Sequence, residues 1–110
     1  HLGNTYFFTE EYDQARQCYT QALAIEDEVG DHQGRASTLQ QLGEVSMAED
    51  LWGDSLWYFL AAREIWKQIG SPLRHTVELQ VQRVSENLDE HTIDQIRNDV
   101  IEKTKDYQVD

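Results

Sequence analysis

Histidine and cysteine side chains are common metal ligands and nucleophiles, and this sequence spaces them widely. The four histidines, His1, His32, His75 and His91, do not form the HExxH pattern of zinc enzymes. They lie near the ends of predicted helices, where a solvated imidazole is the expected state. Cys18 is the only cysteine, so neither an intrachain disulfide nor a cysteine-based metal site can form. These residues predict no metal, no cofactor and no catalytic centre.

Glycine and acidic residues also lack the spacing of known ligand loops. No Lys-Ser or Lys-Thr pair follows Gly30 or Gly34, as a phosphate-binding loop would require. The acidic runs near residues 10–13 and 26–31 do not alternate as a calcium loop does. They are consistent with a solvated surface, or with an acidic strip that faces a basic partner.

The overall charge excludes two classes of partner. The 110 residues include 21 acidic and 9 basic side chains, a formal net charge of -12. A nucleic-acid backbone or an anionic membrane needs a basic footprint, so neither is expected as a partner. No apolar run reaches the length of a membrane span. The single cysteine fits a cytoplasmic location.

The elements that position these side chains follow an internal repeat of 40 residues. When the sequence is shifted by 40 positions against itself, identical residues coincide at seven of the first 40 positions. Leu2-Gly3 coincides with Leu42-Gly43, Ala22, Ile25 and Gly30 with Ala62, Ile65 and Gly70, and Leu39-Gln40 with Leu79-Gln80.

Within each repeat the apolar residues recur at spacings of three and four, which predicts amphipathic helices. Gly30-Asp31 and Gly70-Ser71 carry the helix-stop glycine followed by a helix-capping residue. The pattern predicts helices near residues 1–9, 12–29, 32–49, 52–69, 72–87 and 90–105, with a frayed tail from Asp106.

The first repeat resembles the signature of the tetratricopeptide repeat (TPR) family. That family spaces a Leu-Gly pair, an aromatic residue and a small–aromatic–small set over two antiparallel helices. The matching residues are Leu2-Gly3, Tyr6, Tyr12, Ala15, Tyr19, Ala22 and Ile25, and then Leu39, Leu42-Gly43, Trp52, Ser55, Phe59, Ala62 and Ile65. The 40-residue period looks like the extended form of the repeat.

The resemblance implies an all-α fold, a TPR-like α-solenoid of antiparallel helix hairpins. Residues 1–110 form a single domain fragment, in which residues 1–30 are a first repeat truncated at its N-terminus and residues 31–70 a second repeat. The match decays after Gly70, as at the C-terminal end of an array. Residues 71–105 are therefore predicted to be capping helices and residues 106–110 a tail.

The resemblance further implies a non-catalytic protein–protein interaction scaffold that presents a concave groove. Its partner would be a peptide or a protein domain, including another domain of the same parent protein. Two alternatives remain open: an oligomerisation or spacer element, and a ligand-sensing regulatory segment of a larger signalling protein.

The family's groove-facing positions correspond here to residues of the first helix in each hairpin. No Lys or Arg stands among them, so a clamp for a peptide carboxylate is not expected, whereas an apolar groove with an acidic surround favours basic-hydrophobic ligands. Phe7 and Phe8 could instead pack against an upstream hairpin. The groove residues are Asn4, Phe7, Phe8, Ser37, Gln40, Glu44 and Met47.

One side of helix 52–69 carries an apolar patch away from the core stripe. Trp57, Leu60 and Ala61 share this side, whereas the equivalent positions of the first repeat are polar. Three outcomes are open: the last helix covers the patch and brings Ile93 or Ile96 to Trp57, two copies form a homodimer through it, or Trp57 is simply exposed.

Overall fold

The computed structural model of the protein describes residues 11–107. Five α-helices follow one another in this range, and none of its residues lies in a strand. The helices are α1 (Tyr12–Val29), α2 (His32–Ala48), α3 (Trp52–Ile69), α4 (Leu73–Ser85) and α5 (Glu90–Thr104). The all-α prediction is confirmed, and each of these helices begins and ends within two residues of the predicted bounds. The predicted helix 1–9 lies outside the described residues.

Glycines end α1 and α3 at equivalent positions of the repeat. Gly30 and Gly70 adopt left-handed backbone conformations with φ of 74° and 80°, which favour glycine. Asp31 is the N-cap residue of α2, and its side chain accepts a hydrogen bond of 2.9 Å from the backbone N–H of Gly34. The turn signals read from the sequence therefore fix two of the helix connections.

Helix α3 is the central element of the fold. It packs against α2, α4 and α5, whereas α1 packs mainly against α2. The main core is formed where these helices meet and includes Leu39, Leu56, Phe59, Ile65, Val77, Val84 and Val100. A smaller cluster joins α1 to α2 through Ala15, Tyr19, Leu42 and Val45.

A close contact between α2 and α3 depends on small side chains. The ring of Phe59 lies so near Gly43 that a Cβ atom there would be 2.6 Å from its Cε1 atom. Ser55 donates a hydrogen bond of 2.8 Å from its Oγ to the carbonyl oxygen of Gly43. Glycine and serine therefore let the two helix backbones approach closely, as their positions in the repeat predict.

The cap packs onto α3 as the sequence predicts. Val77 and Val84 of α4 are fully buried, and Val81 and Leu88 are half-buried against the same core. Asp89 is the N-cap residue of α5, and its side chain accepts a hydrogen bond of 2.7 Å from the backbone N–H of Thr92.

Two expectations are wrong at the edges of the fold. Ile25 and Val29 belong to the predicted apolar stripe of α1, yet they are 61% and 70% exposed. Ile65, the counterpart of Ile25, is buried because it lies in the core formed by α2, α3 and α4, whereas the end of α1 stands at the margin of the described fold. The tail does not fray at Tyr107, which is half-buried against α2.

Two glycine substitutions test the close contact between α2 and α3. Gly43→Ala places a methyl group against the buried Phe59 ring and should lower the free energy of unfolding by about 1–3 kcal/mol. Gly53→Ala is the matched control, because its Cβ would meet only Cδ1 of Ile96 at an ordinary 3.6 Å. The control should be neutral or stabilise the fold by up to about 1 kcal/mol, since alanine favours helices. Equal changes for both variants in urea unfolding would contradict the contact.

Candidate functional site

Side chains of α2 and α4 meet on one face of the structure, here called the α2–α4 face. Gln40 donates a hydrogen bond of 2.7 Å from Nε2 to Oε1 of Gln80, and Gln80 in turn donates one of 3.0 Å to Glu44. Trp66 of α3 donates a hydrogen bond of 3.1 Å to Oε1 of Gln40. Gln40 therefore links three helices, and its amide forms the polar floor of this face.

A cavity of about 340 Å³ lies on the same face. Its lining comes from Glu44, Met47 and Ala48 of α2 and from Gln80 and Arg83 of α4. Met47 is half-buried and offers an apolar wall, whereas Glu44 and Arg83 supply opposite charges. The arrangement suits a side chain of a docked segment, because it combines one apolar surface with polar groups of both kinds.

The structure brings together Gln40, Glu44 and Met47 of the predicted groove, and Ser37 is exposed on the same helix. Asn4, Phe7 and Phe8 lie outside the described residues. The sequence analysis missed Gln80 and Arg83, since the family signature decays in α4. The signal that could have found Gln80 was its coincidence with Gln40 at the 40-residue shift.

Glu44 also acts on the small core cluster behind this face. Burial raises the pKa of the Tyr19 hydroxyl, and electrostatic interactions with Glu44 and Cys18 raise it further. Tyr19 thus stays neutral at ordinary pH and fills the α1–α2 contact. Cys18 itself is half-buried on α1.

The expected apolar patch on the outer side of α3 is not exposed. Leu60 and Ala61 are buried, because α5 lies over them and its Val100 joins the same core. Trp57 is half-buried and donates a hydrogen bond of 2.8 Å from Nε1 to Oδ2 of Asp99. The last helix therefore covers Leu60 and Ala61, which is the first of the three outcomes left open by the sequence and leaves no exposed Leu-Ala surface for the homodimer that was the second.

Trp57 has a polar partner on α5 in addition to the apolar surroundings that it shares with Ile93 and Ile96. Cδ1 of Ile96 approaches Gly53 one turn earlier in α3, whereas the indole nitrogen of Trp57 meets a carboxylate. A tryptophan N–H needs a hydrogen-bond acceptor when it is partly buried, and Asp99 of α5 provides it.

Tyr107, which follows α5, packs against the first turns of α2. Its hydroxyl shares a hydrogen bond of 2.6 Å with Nδ1 of His32, and the two rings pack edge to face. The guanidinium of Arg35 lies 5.0 Å from the centre of the Tyr107 ring. The end of α5 is thereby held across α3 and against the second hairpin.

The described residues contain no group of three or more His, Cys, Asp or Glu side chains that could hold a metal ion. Within residues 11–107, no helix combines the length and apolar character needed to cross a bilayer.

A family model described as "Tetratricopeptide repeat" matches residues 1–52. No curated protein and no solved structure matches the chain significantly.

The stability that the contact of Tyr107 with α2 contributes should depend on pH. Burial raises the pKa of this hydroxyl above its usual value of 10.0; Arg35 opposes the rise, and Asp27 and Asp31 add to it. The contact should therefore contribute its full stability below pH 10 and lose it as the pH rises through the folded-state pKa.

The Tyr107→Phe variant isolates this titration. The ultraviolet absorbance difference between the parent and the variant should show an ionisation midpoint above pH 10 in the folded state, and the ordinary midpoint in urea. A folded-state midpoint at or below the urea value would contradict the buried position of Tyr107.

Proposed function

We propose that this protein is a non-catalytic interaction scaffold whose α2–α4 face docks a peptide or a partner domain, because a tetratricopeptide repeat model matches residues 1–52. Repeats of this family are in general protein–protein interaction modules. The observation that carries the proposal for this face is the cavity between α2 and α4, where Glu44, Met47 and Arg83 surround a polar floor.

The face is supported by side chains that are already held in place. Gln80 is hydrogen-bonded to Gln40 and Glu44, and Gln40 is fixed by Trp66. A docking segment would therefore meet a preformed surface, and little of the binding free energy would be lost in ordering it. Small backbone changes on binding are expected for such a surface.

The charge of the protein favours a basic-hydrophobic partner. A net charge of -12 attracts cationic segments and accelerates their encounter at low ionic strength. In the cavity, an apolar side chain of the partner would contact Met47 and a basic one would pair with Glu44. Arg83 would donate hydrogen bonds to carbonyl oxygens of the docked segment. Asn4, Phe7 and Phe8, which the sequence assigns to the same groove, lie outside the described residues.

A displayed library of random peptides tests this function. Peptides enriched on the protein at low salt should contain basic and apolar residues, and isotope-labelled protein should show shifted amide signals at Glu44, Met47 and Arg83 when they bind. The Glu44→Gln/Met47→Ala variant should weaken their binding about tenfold, because it removes one charge and one apolar contact.

The matched control is Ile25→Ala/Glu28→Gln on α1, which removes the same kinds of group from exposed positions away from α4. It should leave the affinity unchanged, and circular dichroism should show full helicity in both variants. Equal weakening by both variants, or signal shifts confined to other faces, would contradict docking at the α2–α4 face.

A further inference from the structure

A second cleft lies between α3 and α5, on elements that do not contribute to the α2–α4 cavity. Its volume is about 290 Å³, and Leu60 and Val100 form its apolar floor. Ile101 stands at its wall and is 59% exposed, although it is a large apolar side chain. This cleft, here called the α3–α5 cleft, is a consequence of the way α5 crosses the outer side of α3.

Three basic side chains line the α3–α5 cleft. Arg63, Arg97 and Lys105 are three of the nine basic residues in a chain whose net charge is -12. The lining contains one carboxylate, Glu64, whose Oε1 accepts a hydrogen bond of 3.5 Å from Gln68. Lys105 is paired with Glu102 at 3.0 Å, so the two arginines are the cations on which an anionic partner would depend.

Two of these cations, Arg63 and Arg97, have a weak ion pair or none within residues 11–107. Arg63 is half-buried and has no ion pair with any residue of 11–107. Arg97 faces Asp94 of its own helix at 3.7 Å, with both side chains more than half exposed, and such pairs contribute little. Their guanidinium groups remain available to carboxylates of another molecule, which arginine binds in a two-pronged geometry.

From this geometry we infer that the α3–α5 cleft is a second docking surface, and that it binds an acidic segment of a partner protein that also carries apolar side chains. The apolar side chains would cover Ile101 and the floor at Leu60. The carboxylates would pair with Arg63 and Arg97 at the rim. The cleft and the α2–α4 face would thus select partners of opposite charge.

A protein segment fits the cleft better than the other anionic partners. A membrane surface or a nucleic-acid backbone presents negative charge over a wide area, and the acidic remainder of this protein would be repelled by it. A protein segment that inserts one or two apolar side chains into the cleft would bring its carboxylates only to Arg63 and Arg97, so the acidic surface elsewhere would repel it less. Charge complementarity and the exposed Ile101 therefore point to the same occupant.

The test uses a displayed library of random peptides, followed by fluorescence anisotropy with the enriched peptides. A selection on the Glu44→Gln/Met47→Ala variant removes the competing face. The peptides that it retains should be rich in Asp, Glu and apolar residues. Their affinity should fall about tenfold or more in Arg63→Glu/Arg97→Glu, because attraction becomes repulsion at two positions.

The control is Arg74→Glu, which reverses one exposed cation of α4 outside the cleft and is compared with the single variant Arg63→Glu. It should change the affinity less than twofold at physiological salt, where exposed charges are screened beyond about 8 Å. Ile101→Ser should weaken binding without altering helicity, which separates the apolar contact from the charge.

Three results would overturn the inference. The first is an equal loss of affinity in the two charge variants, which would show general electrostatic attraction. The second is the absence of acidic peptides among those enriched. The third is binding of phosphatidylserine vesicles but not of peptides. The function proposed for the α2–α4 face would survive each of them, since it rests on basic peptides and on different residues.

Discussion

The backbone of α2 lies against the ring of Phe59 at Gly43, and this contact sets the distance between the two central helices. Glycine inside a helix costs about 1 kcal/mol relative to alanine. The loss is offset here because a Cβ atom would stand 2.6 Å from a fully buried aromatic ring. The hydrogen bond from Ser55 to the Gly43 carbonyl holds the same pair of helices one turn earlier on α3.

Both candidate surfaces follow from the position that this contact gives to α3. On one side, Trp66 of α3 reaches Gln40 and fixes the polar floor between α2 and α4. On the other side, Leu60 and Ala61 receive α5, and the α3–α5 cleft opens along that junction. Two clefts therefore adjoin one central helix, one lined by Glu44 and Arg83 and the other by Arg63 and Arg97.

The repeat period carried most of the information that the sequence could provide. It placed the helix-stop glycines, the small residues at the α2–α3 contact and three residues of the α2–α4 face. It could not place Arg83, because the repeat decays in α4. It left three outcomes open for the outer side of α3, since whether α5 covers Leu60 is decided by tertiary packing of the last two helices. The contact of Tyr107 with His32 joins residues 75 positions apart, and no local pattern reports it.

Native-state amide hydrogen exchange tests the central position of α3 most directly. If the contact at Gly43 organises the fold, the amides of α3 around Phe59 exchange only through global unfolding, with the highest protection in the protein. The last turn of α1, near Ile25 and Val29, exchanges through smaller local openings because its apolar side chains are exposed. Protection at Phe59 equal to or below that at Val29 would contradict the account.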